Sequence, residues 1–194
     1  MSKEIIKYHY FRLNKPYGYL SQFTGEASDL LLGSLYNFPK DVYSIGRLDK
    51  DSEGLLLLTN DNKFKNTLLD PSYDKQKTYL VQVEGDITPQ ALGELEAGTI
   101  FISHKGKKHR VKSALCKRVE NPDVEERKPP IRVRKSIPTS WIELTITEGK
   151  NRQVRKMTAV VGHPTLRLIR IAFDSFTLDN LAPGEVREIK PINR

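Results

Sequence analysis

The 194-residue sequence has few of the features that mark secreted or membrane proteins. It contains one cysteine, Cys116, so no disulfide can form within the chain. No apolar run approaches the roughly 20 residues that a membrane-spanning helix needs. The N-terminal residues also lack the apolar core of a secretory signal. We therefore expect a cytoplasmic protein with no membrane partner.

Motifs for metals and nucleotide cofactors are missing as well. The histidines show no metal-ligand spacing, and a single cysteine makes a zinc site improbable. The sequence has neither a Walker loop nor a Gly-x-Gly-x-x-Gly segment to hold the phosphates of a nucleotide cofactor. The expected chemistry uses no metal and no cofactor.

Positive charge, in contrast, is abundant and clustered, with a net charge of +8. Residues 104–112 and residues 127–135 each contain five Lys or Arg among nine residues. Such clusters attract a phosphate backbone, although a solvated hairpin edge protected by lysines also explains the first one. We predict that nucleic acid contacts Lys107, Lys108, Arg110, Arg132 and Arg134.

Strand patterns outnumber helix patterns along the chain. Alternating or continuous apolar segments predict strands at residues 8–13, 54–59, 77–84, 141–147 and 166–173. Capping and terminating residues predict four helices: residues 30–35 with Ser28 or Asp29 as cap, residues 61–69 with Asp61 or Asn62, residues 88–98 with Thr88, and residues 151–161 with Asn151. Several connections are too short for parallel crossovers. The predicted class is α+β, with a mixed, mainly antiparallel central sheet flanked by helices.

A segment rich in charge precedes the strand at residues 54–59. Asp49, Asp51 and Glu53 lie just before the apolar run 55–58, so the Asp49 carboxylate could lie at the floor of a cleft. Alternatively, the three acids form a turn and pair with neighbouring cations, each pair contributing at most about 1 kcal/mol. This segment alone leaves both interpretations open.

A second charged segment, residues 151–157, is predicted to begin a helix. Arg152, Arg155 and Lys156 have the spacing i, i+3, i+4, which would place them on one face near the helix N-terminus. Backbone amides there also attract anions, so this segment is expected to bind a phosphate or carboxylate group. Arg152 and Lys156 are predicted to contact RNA. An amphipathic helix with a solvated basic face satisfies the same pattern.

Taken in order, these segments resemble the motifs of ribosomal RNA pseudouridine synthases. Residues 46–59 resemble the catalytic motif, residues 77–81 the second motif, and residues 148–157 the third. Residues 129–141 and 164–170 are most similar to members that act on the large ribosomal subunit. The resemblance implies 23S ribosomal RNA as the partner, with a target uridine at position 2457 in the numbering of that RNA.

The resemblance also implies a role for each matching residue. Asp49 would be the essential carboxylate, Tyr79 would stack on the target base, and Arg155 would pair with Asp49. Leu166 would pack on the base from the apolar side. Arg47 would contact the flipped nucleotide or fill the gap that it leaves.

Many relatives begin with a small S4-type RNA-binding domain. The first strand is predicted at residue 8, so we expect residues 1–194 to form a single catalytic domain of two closely packed lobes without that addition. A monomer is expected. Two other functions fit parts of the sequence. An RNA-binding or ribosome-assembly factor without catalysis leaves Asp49 and Tyr79 without a task. Glycoside hydrolysis by Asp49 and Asp51 needs two carboxylates that face each other across a gap of about 5–10 Å, which acids of one polar turn need not do.

Overall fold

The computed structural model describes residues 7–131, 134 and 136–190. They divide into two compact units, one formed by the chain up to residue 73 and from residue 178 onward, the other by residues 74–177. Together the described parts contain three α-helices and eleven strands, and the strand pairs within each unit are antiparallel. The predicted α+β class is confirmed.

The first unit is built on a long buried strand pair. Strand β1 (Tyr10–Lys15) pairs on one side with β3 (Glu53–Thr59) and on the other with β11 (Val186–Glu188), while the short β2 (Tyr43–Ser44) pairs with the end of β3. The leucines at positions 55–58 of β3 are at most 1% exposed. This confirms the strand predicted at residues 54–59 and shows that it is buried on both faces.

The second unit is built around β4 (Lys77–Glu84). This strand pairs with β8 (Thr139–Ile146) on one side and β9 (Thr165–Phe173) on the other; β7 (Leu115–Val119) extends the sheet beyond β8, and β10 (Phe176–Thr177) pairs with β9. A separate hairpin consists of β5 (Phe101–His104) and β6 (Lys107–Arg110).

Two of the three helices begin where their caps predict. Helix α1 (Asn62–Leu69) is capped by Asp61, whose carboxylate accepts the amide N–H groups of Lys63 and Phe64. Helix α2 (Pro89–Ala97) is capped by the Thr88 hydroxyl and ends at Gly98, which has a φ of 62°. A Cβ on Gly98 would lie 2.6 Å from the amide nitrogen of Ser113, so this position needs glycine for space as well. No helix within the described ranges is long and apolar enough to cross a membrane.

Two helix predictions were wrong in part. Instead of a helix over residues 30–35, a single 3₁₀ turn spans Leu32–Ser34, because Leu30 bridges Tyr19 in extended conformation and its carbonyl accepts the Leu20 amide. Helix α3 (Gln153–Val160) has Arg152, not Asn151, at its N-cap position; Arg152 is in left-handed conformation and its side chain makes no capping hydrogen bond. Arg152 therefore precedes the helix and does not share its face with Arg155 and Lys156.

Candidate functional site

Asp49 lies in a loop of the first unit, residues 45–52, that is fixed on both sides of it. The Ser21 hydroxyl donates to the Leu48 carbonyl at 2.8 Å and accepts from the Leu48 amide at 3.0 Å. The Ser52 amide donates to the Asp49 carbonyl at 3.0 Å. Asp49 is half-buried. The backbone that presents this carboxylate is thus held by specific hydrogen bonds on either side.

The segment of residues 18–29 supports the same loop. The Gly18 amide donates to the Lys50 carbonyl at 2.8 Å, and the Lys50 ammonium lies 3.1 Å from the Asp29 carboxylate. The amide of Glu26 and then Lys50 lower the pKa of Asp29. Arg47 is exposed, and its guanidinium donates to the Gln22 side chain at 3.4 Å. Arg47 is therefore accessible to a ligand beside Asp49.

Lys15 is a buried cation near this loop, and the sequence patterns did not single it out. Its side chain is 0% exposed, and its ammonium donates to the carbonyls of Pro16 at 2.9 Å and Tyr19 at 2.7 Å. Burial lowers the pKa of Lys15 to about 8, against the opposing influence of Glu53, Asp51 and Asp49. At neutral pH the Lys15 amine is mostly protonated, and its positive charge offsets part of the negative charge of these three carboxylates.

Tyr79 lies in the middle of β4 in the second unit, opposite Leu144 of β8 and Arg170 of β9. It is 8% exposed, and Arg170 is 3% exposed. Burial lowers the pKa of Arg170, while its charge interaction and hydrogen bond with the Tyr79 phenol oppose that shift. The Arg170 guanidinium also lies 5.1 Å from the centroid of the Phe173 ring. These contacts fix the position of the phenol.

Arg155 and Leu166 are brought close together by α3 and β9. The Arg155 guanidinium lies 3.5 Å from the carbonyl of Thr165, the residue before Leu166. The hydroxyls of Thr158 and Thr165 are 2.7 Å apart and hold the helix against the strand. Both Arg155 and Leu166 are half-buried.

Glu148 anchors the start of α3 to the basic hairpin of β5 and β6, a role that the sequence patterns did not indicate. Its carboxylate lies 2.8 Å from the His109 ring and accepts the Lys112 amide and the Gln153 side-chain amide, each at 2.9 Å. Burial alone would raise the pKa of Glu148, but these hydrogen bonds and the charge of His109 outweigh it and lower the pKa. Lys156 adds a bond from α3 to the Ser103 carbonyl at 2.9 Å.

The predicted RNA-binding residues fall into two groups. Lys107, Lys108 and Arg110 are exposed on β6, and Arg152 and Lys156 lie at the helix that is bonded to this hairpin. Arg134 lies apart from them; it is exposed and 3.4 Å from the Glu84 carboxylate. Arg132 lies outside the described residues.

Asp49 and Arg47 thus belong to the first unit, and Tyr79, Arg155 and Leu166 to the second. Their meeting at one catalytic centre stays a prediction. Among the described side chains, no group of three or more His, Cys, Asp or Glu is placed to hold a metal ion.

Comparison with known proteins gives consistent matches. The family model for RNA pseudouridylate synthase matches residues 9–160. The chain is 46% identical over 176 residues to the ribosomal large subunit pseudouridine synthase E of Xanthomonas campestris pv. campestris, covering 90% of this chain and 92% of that protein. It is 37% identical over 183 residues to the ribosomal large subunit pseudouridine synthase B of Bacillus subtilis, covering 94% of this chain and 68% of that protein. A crystal structure of a pseudouridylate synthase matches with a TM-score of 0.76 at 28% identity, over 96% of this chain and 72% of that one.

Proposed function

Because the chain belongs to the RNA pseudouridylate synthase family, we propose that it isomerises a uridine of 23S ribosomal RNA to pseudouridine. The observation that carries the choice of RNA is the similarity, over most of both chains, to a synthase named for the large ribosomal subunit. The target we propose is the uridine at position 2457. An RNA substrate of this kind implies a cytoplasmic enzyme, and we expect it to act as a monomeric catalytic domain.

In the proposed reaction, the glycosidic bond between N1 and C1′ breaks and a bond between C5 and C1′ forms. The uracil turns between the two steps; C5 loses its proton and N1 gains one, so the change is an isomerisation without a co-reactant. Asp49 either attacks C1′ or removes a sugar proton to give a glycal. Both routes need an ionised carboxylate beside the sugar, and the fixed, half-buried loop around Asp49 suits either.

The second unit supplies the other proposed contacts with the target nucleotide. Tyr79 offers a phenol ring, held by Arg170, on which the uracil stacks, and Leu166 packs against the base from the apolar side. Arg155 pairs with Asp49 and keeps it ionised. Arg47, exposed next to Asp49, contacts the extruded nucleotide or fills the space that it leaves.

The target base must leave the RNA stack before it can react. Extrusion costs a few kcal/mol, which contacts to the surrounding phosphates can offset. We assign these contacts to the exposed hairpin residues Lys107, Lys108 and Arg110, to Arg152 and Lys156 beside them, and to Arg134. A metal or cofactor is not required by this scheme.

Tritium release from 23S RNA transcribed with [5-³H]uridine tests the proposal. We expect wild-type enzyme to release about one tritium per RNA molecule, because the C5 proton leaves at a single target uridine. Asp49→Asn should bind the RNA with similar affinity and release none. Absence of release by wild-type enzyme, or full release by Asp49→Asn, would contradict the mechanism. Release from RNA with cytidine at position 2457 would contradict the target assignment alone.

A further inference from the structure

The second unit also contains a cleft of about 520 Å³ that involves other residues than the proposed catalytic ones. Its lining comes from β4, β7, β8 and β9 and from the connection between β7 and β8; Tyr79, Arg155 and Leu166 are not part of it. The volume lies within the range of about 300–1,000 Å³ that is usual for small-ligand sites. The cleft is large enough for a nucleotide.

One row of residues runs across four strands and lines this cleft. In the strand register, Trp141 of β8 lies opposite Val119 of β7 and Gln82 of β4, and Gln82 lies opposite Arg167 of β9. Directly opposed residues on neighbouring strands share a face of the sheet. All four line the cleft, so an aromatic, an amide and a guanidinium group are presented side by side on rigid strands.

Trp141 is the single tryptophan of the chain, and it is half-buried. Within the described residues its indole has no hydrogen bond and stacks on no other ring. Gln82 and Asn121, which line the same cleft, carry amide groups that can pair with the edge of a base. An exposed aromatic face beside amide groups on a sheet is how many proteins recognise unpaired RNA bases.

The charges of the cleft favour the base of a nucleotide over its phosphate. The lining contains three arginines and three glutamates: Arg118, Arg127 and Arg167, with Glu120, Glu125 and Glu126. Several of these cations have protein partners already. Arg118 lies 2.6 Å from both Asp86 and Glu120, and Arg167 donates to the Glu125 carbonyl at 2.6 Å. The balanced lining therefore suits an uncharged ring.

Exposed basic residues are close in sequence to the lining of the cleft. Ile131 lines the cleft, and Lys128 and Arg134, close to it in the chain, are both exposed. We propose that this cleft binds an unpaired base of the substrate RNA, other than the target uridine, by stacking on Trp141. The proposal rests on the proposed function only in taking RNA as the substrate.

Trp141 itself reports on the proposed contact, because all tryptophan fluorescence of the chain comes from this residue. Hexa-adenylate contains no uridine and is therefore a suitable probe for the cleft. We expect it to quench the fluorescence in a saturable manner, whereas a hexamer of abasic ribose phosphate should not. Unchanged fluorescence, or equal quenching by the abasic hexamer, would overturn the proposal. Quenching by a proline-rich peptide but not by hexa-adenylate would also overturn it, because the cleft would then bind protein.

Affinity measured by fluorescence anisotropy of labelled hexa-adenylate tests the same contact in variants. Trp141→Ala should weaken binding about 5- to 100-fold, as expected for one lost base stack, and Trp141→Phe should lose much less. Circular dichroism checks that both variants fold. Unchanged affinity of Trp141→Ala would overturn the proposal. Tritium release tests the proposed function separately. If the protein releases no tritium but hexa-adenylate still quenches its fluorescence, the proposed function is wrong and the base-binding cleft stands.

Discussion

Lys15 in the first unit and Glu148 in the second both have charged side chains with little exposure, and each lies among charges of the opposite sign. The Lys15 ammonium is 0% exposed near the acidic loop that contains Asp49. The Glu148 side chain is 8% exposed and holds the basic hairpin that presents Lys107 and Lys108. Each unit thus places a buried counter-charge close to its proposed functional surface.

The two buried charges differ in the partners that they bond. Lys15 donates to two neutral carbonyls, and the carboxylates near it act through charge interactions, so burial prevails and lowers its pKa to about 8. Glu148 accepts the Lys112 and Gln153 donors directly and contacts His109, so its pKa falls despite burial. The comparison teaches that a buried charge keeps its ionised form readily only where its hydrogen bonds and charge interactions together outweigh the cost of burial, as they do at Glu148 and do not at Lys15. We infer that the Lys15 charge lowers the unfolding free energy of the protein while it compensates the carboxylates of the loop, whereas the Glu148 charge raises the unfolding free energy.

Of the substitutions that test the roles of the two units, Arg155→Ala should reduce the reaction rate most. If Asp49 of the first unit needs the Arg155 guanidinium of the second, the single-turnover rate should fall at least about 100-fold, a loss of roughly 3 kcal/mol. Affinity for RNA, measured by filter binding, should change much less, since this half-buried side chain is assigned to the reacting groups.

Arg152→Ala provides the matched control, because Arg152 is exposed just before the same helix. It should weaken RNA binding and leave the single-turnover rate at saturating enzyme nearly unchanged. If the two variants show the reverse pattern, the basic helix contributes affinity through Arg155 and catalysis through Arg152, and the assignment is wrong.

Lys15→Met should lower the single-turnover rate about tenfold or more, because it removes the bonds to Pro16 and Tyr19 and leaves the acidic loop without its nearest buried cation. Lys63→Met, at an exposed position in the same unit, is the control and should be neutral. Equal rates for wild-type enzyme and Lys15→Met would show that the loop keeps its geometry without this cation.

The pH dependence of stability sharpens the same test. The pKa of Lys15 is about 8 in the folded chain, against 10.5 as the ordinary value, so the unfolded chain binds more protons between these pH values. The unfolding free energy of wild-type protein relative to Lys15→Met should therefore rise by about 1.4 kcal/mol per pH unit in this window. Below pH 8 the difference should be constant, and chemical denaturation at several pH values measures it.

Local signals in the sequence predicted much of this fold. Thr88 was predicted as one helix cap and Asp61 or Asn62 as another, because the bonds of a capping side chain fall within a few residues of it; the structure has Thr88 and Asp61. The apolar run 55–58 was assigned to a strand because it is continuous and has the length of a strand, and its leucines are buried. In contrast, residues 30–35 were assigned to a helix because their contact with Tyr19 depends on chain folding and leaves no periodic pattern.

The candidate site divides in the same way. The resemblance of the motifs pointed to Asp49, Tyr79 and Arg155, but it did not point to the residues that support them. Lys15 is the last residue of β1 and precedes a proline, and its burial depends on segments distant in sequence. The Trp141 cleft depends on the register of four strands, which no single segment contains.

Glu148→Gln should have the smallest effect of the three, and the chain offers a matched pair for it. His109–Glu148 and His9–Glu188 are the same residue types at 2.8 Å and 2.9 Å, with the glutamate 8% exposed in the first pair and 53% exposed in the second. Glu148→Gln should lower the unfolding free energy by about 1–3 kcal/mol, the usual effect of weakening buried hydrogen bonds to a charge. Glu188→Gln should lower it by less than about 1 kcal/mol.

The dependence of the unfolding free energy on pH in the acid range distinguishes the loss of the Glu148 charge from a loss of packing. The pKa of Glu148 lies below its ordinary value of 4.5 in the folded chain, so its stabilising contribution is complete above that pH and is lost as the pH falls through the folded value. The difference in unfolding free energy between wild-type protein and Glu148→Gln should shrink accordingly below pH 4.5. If the difference in unfolding free energy persists at low pH, Glu148 stabilises the fold by its packing and not by its charge. Of the two units, only the first would then contain a functional counter-charge, that of Lys15.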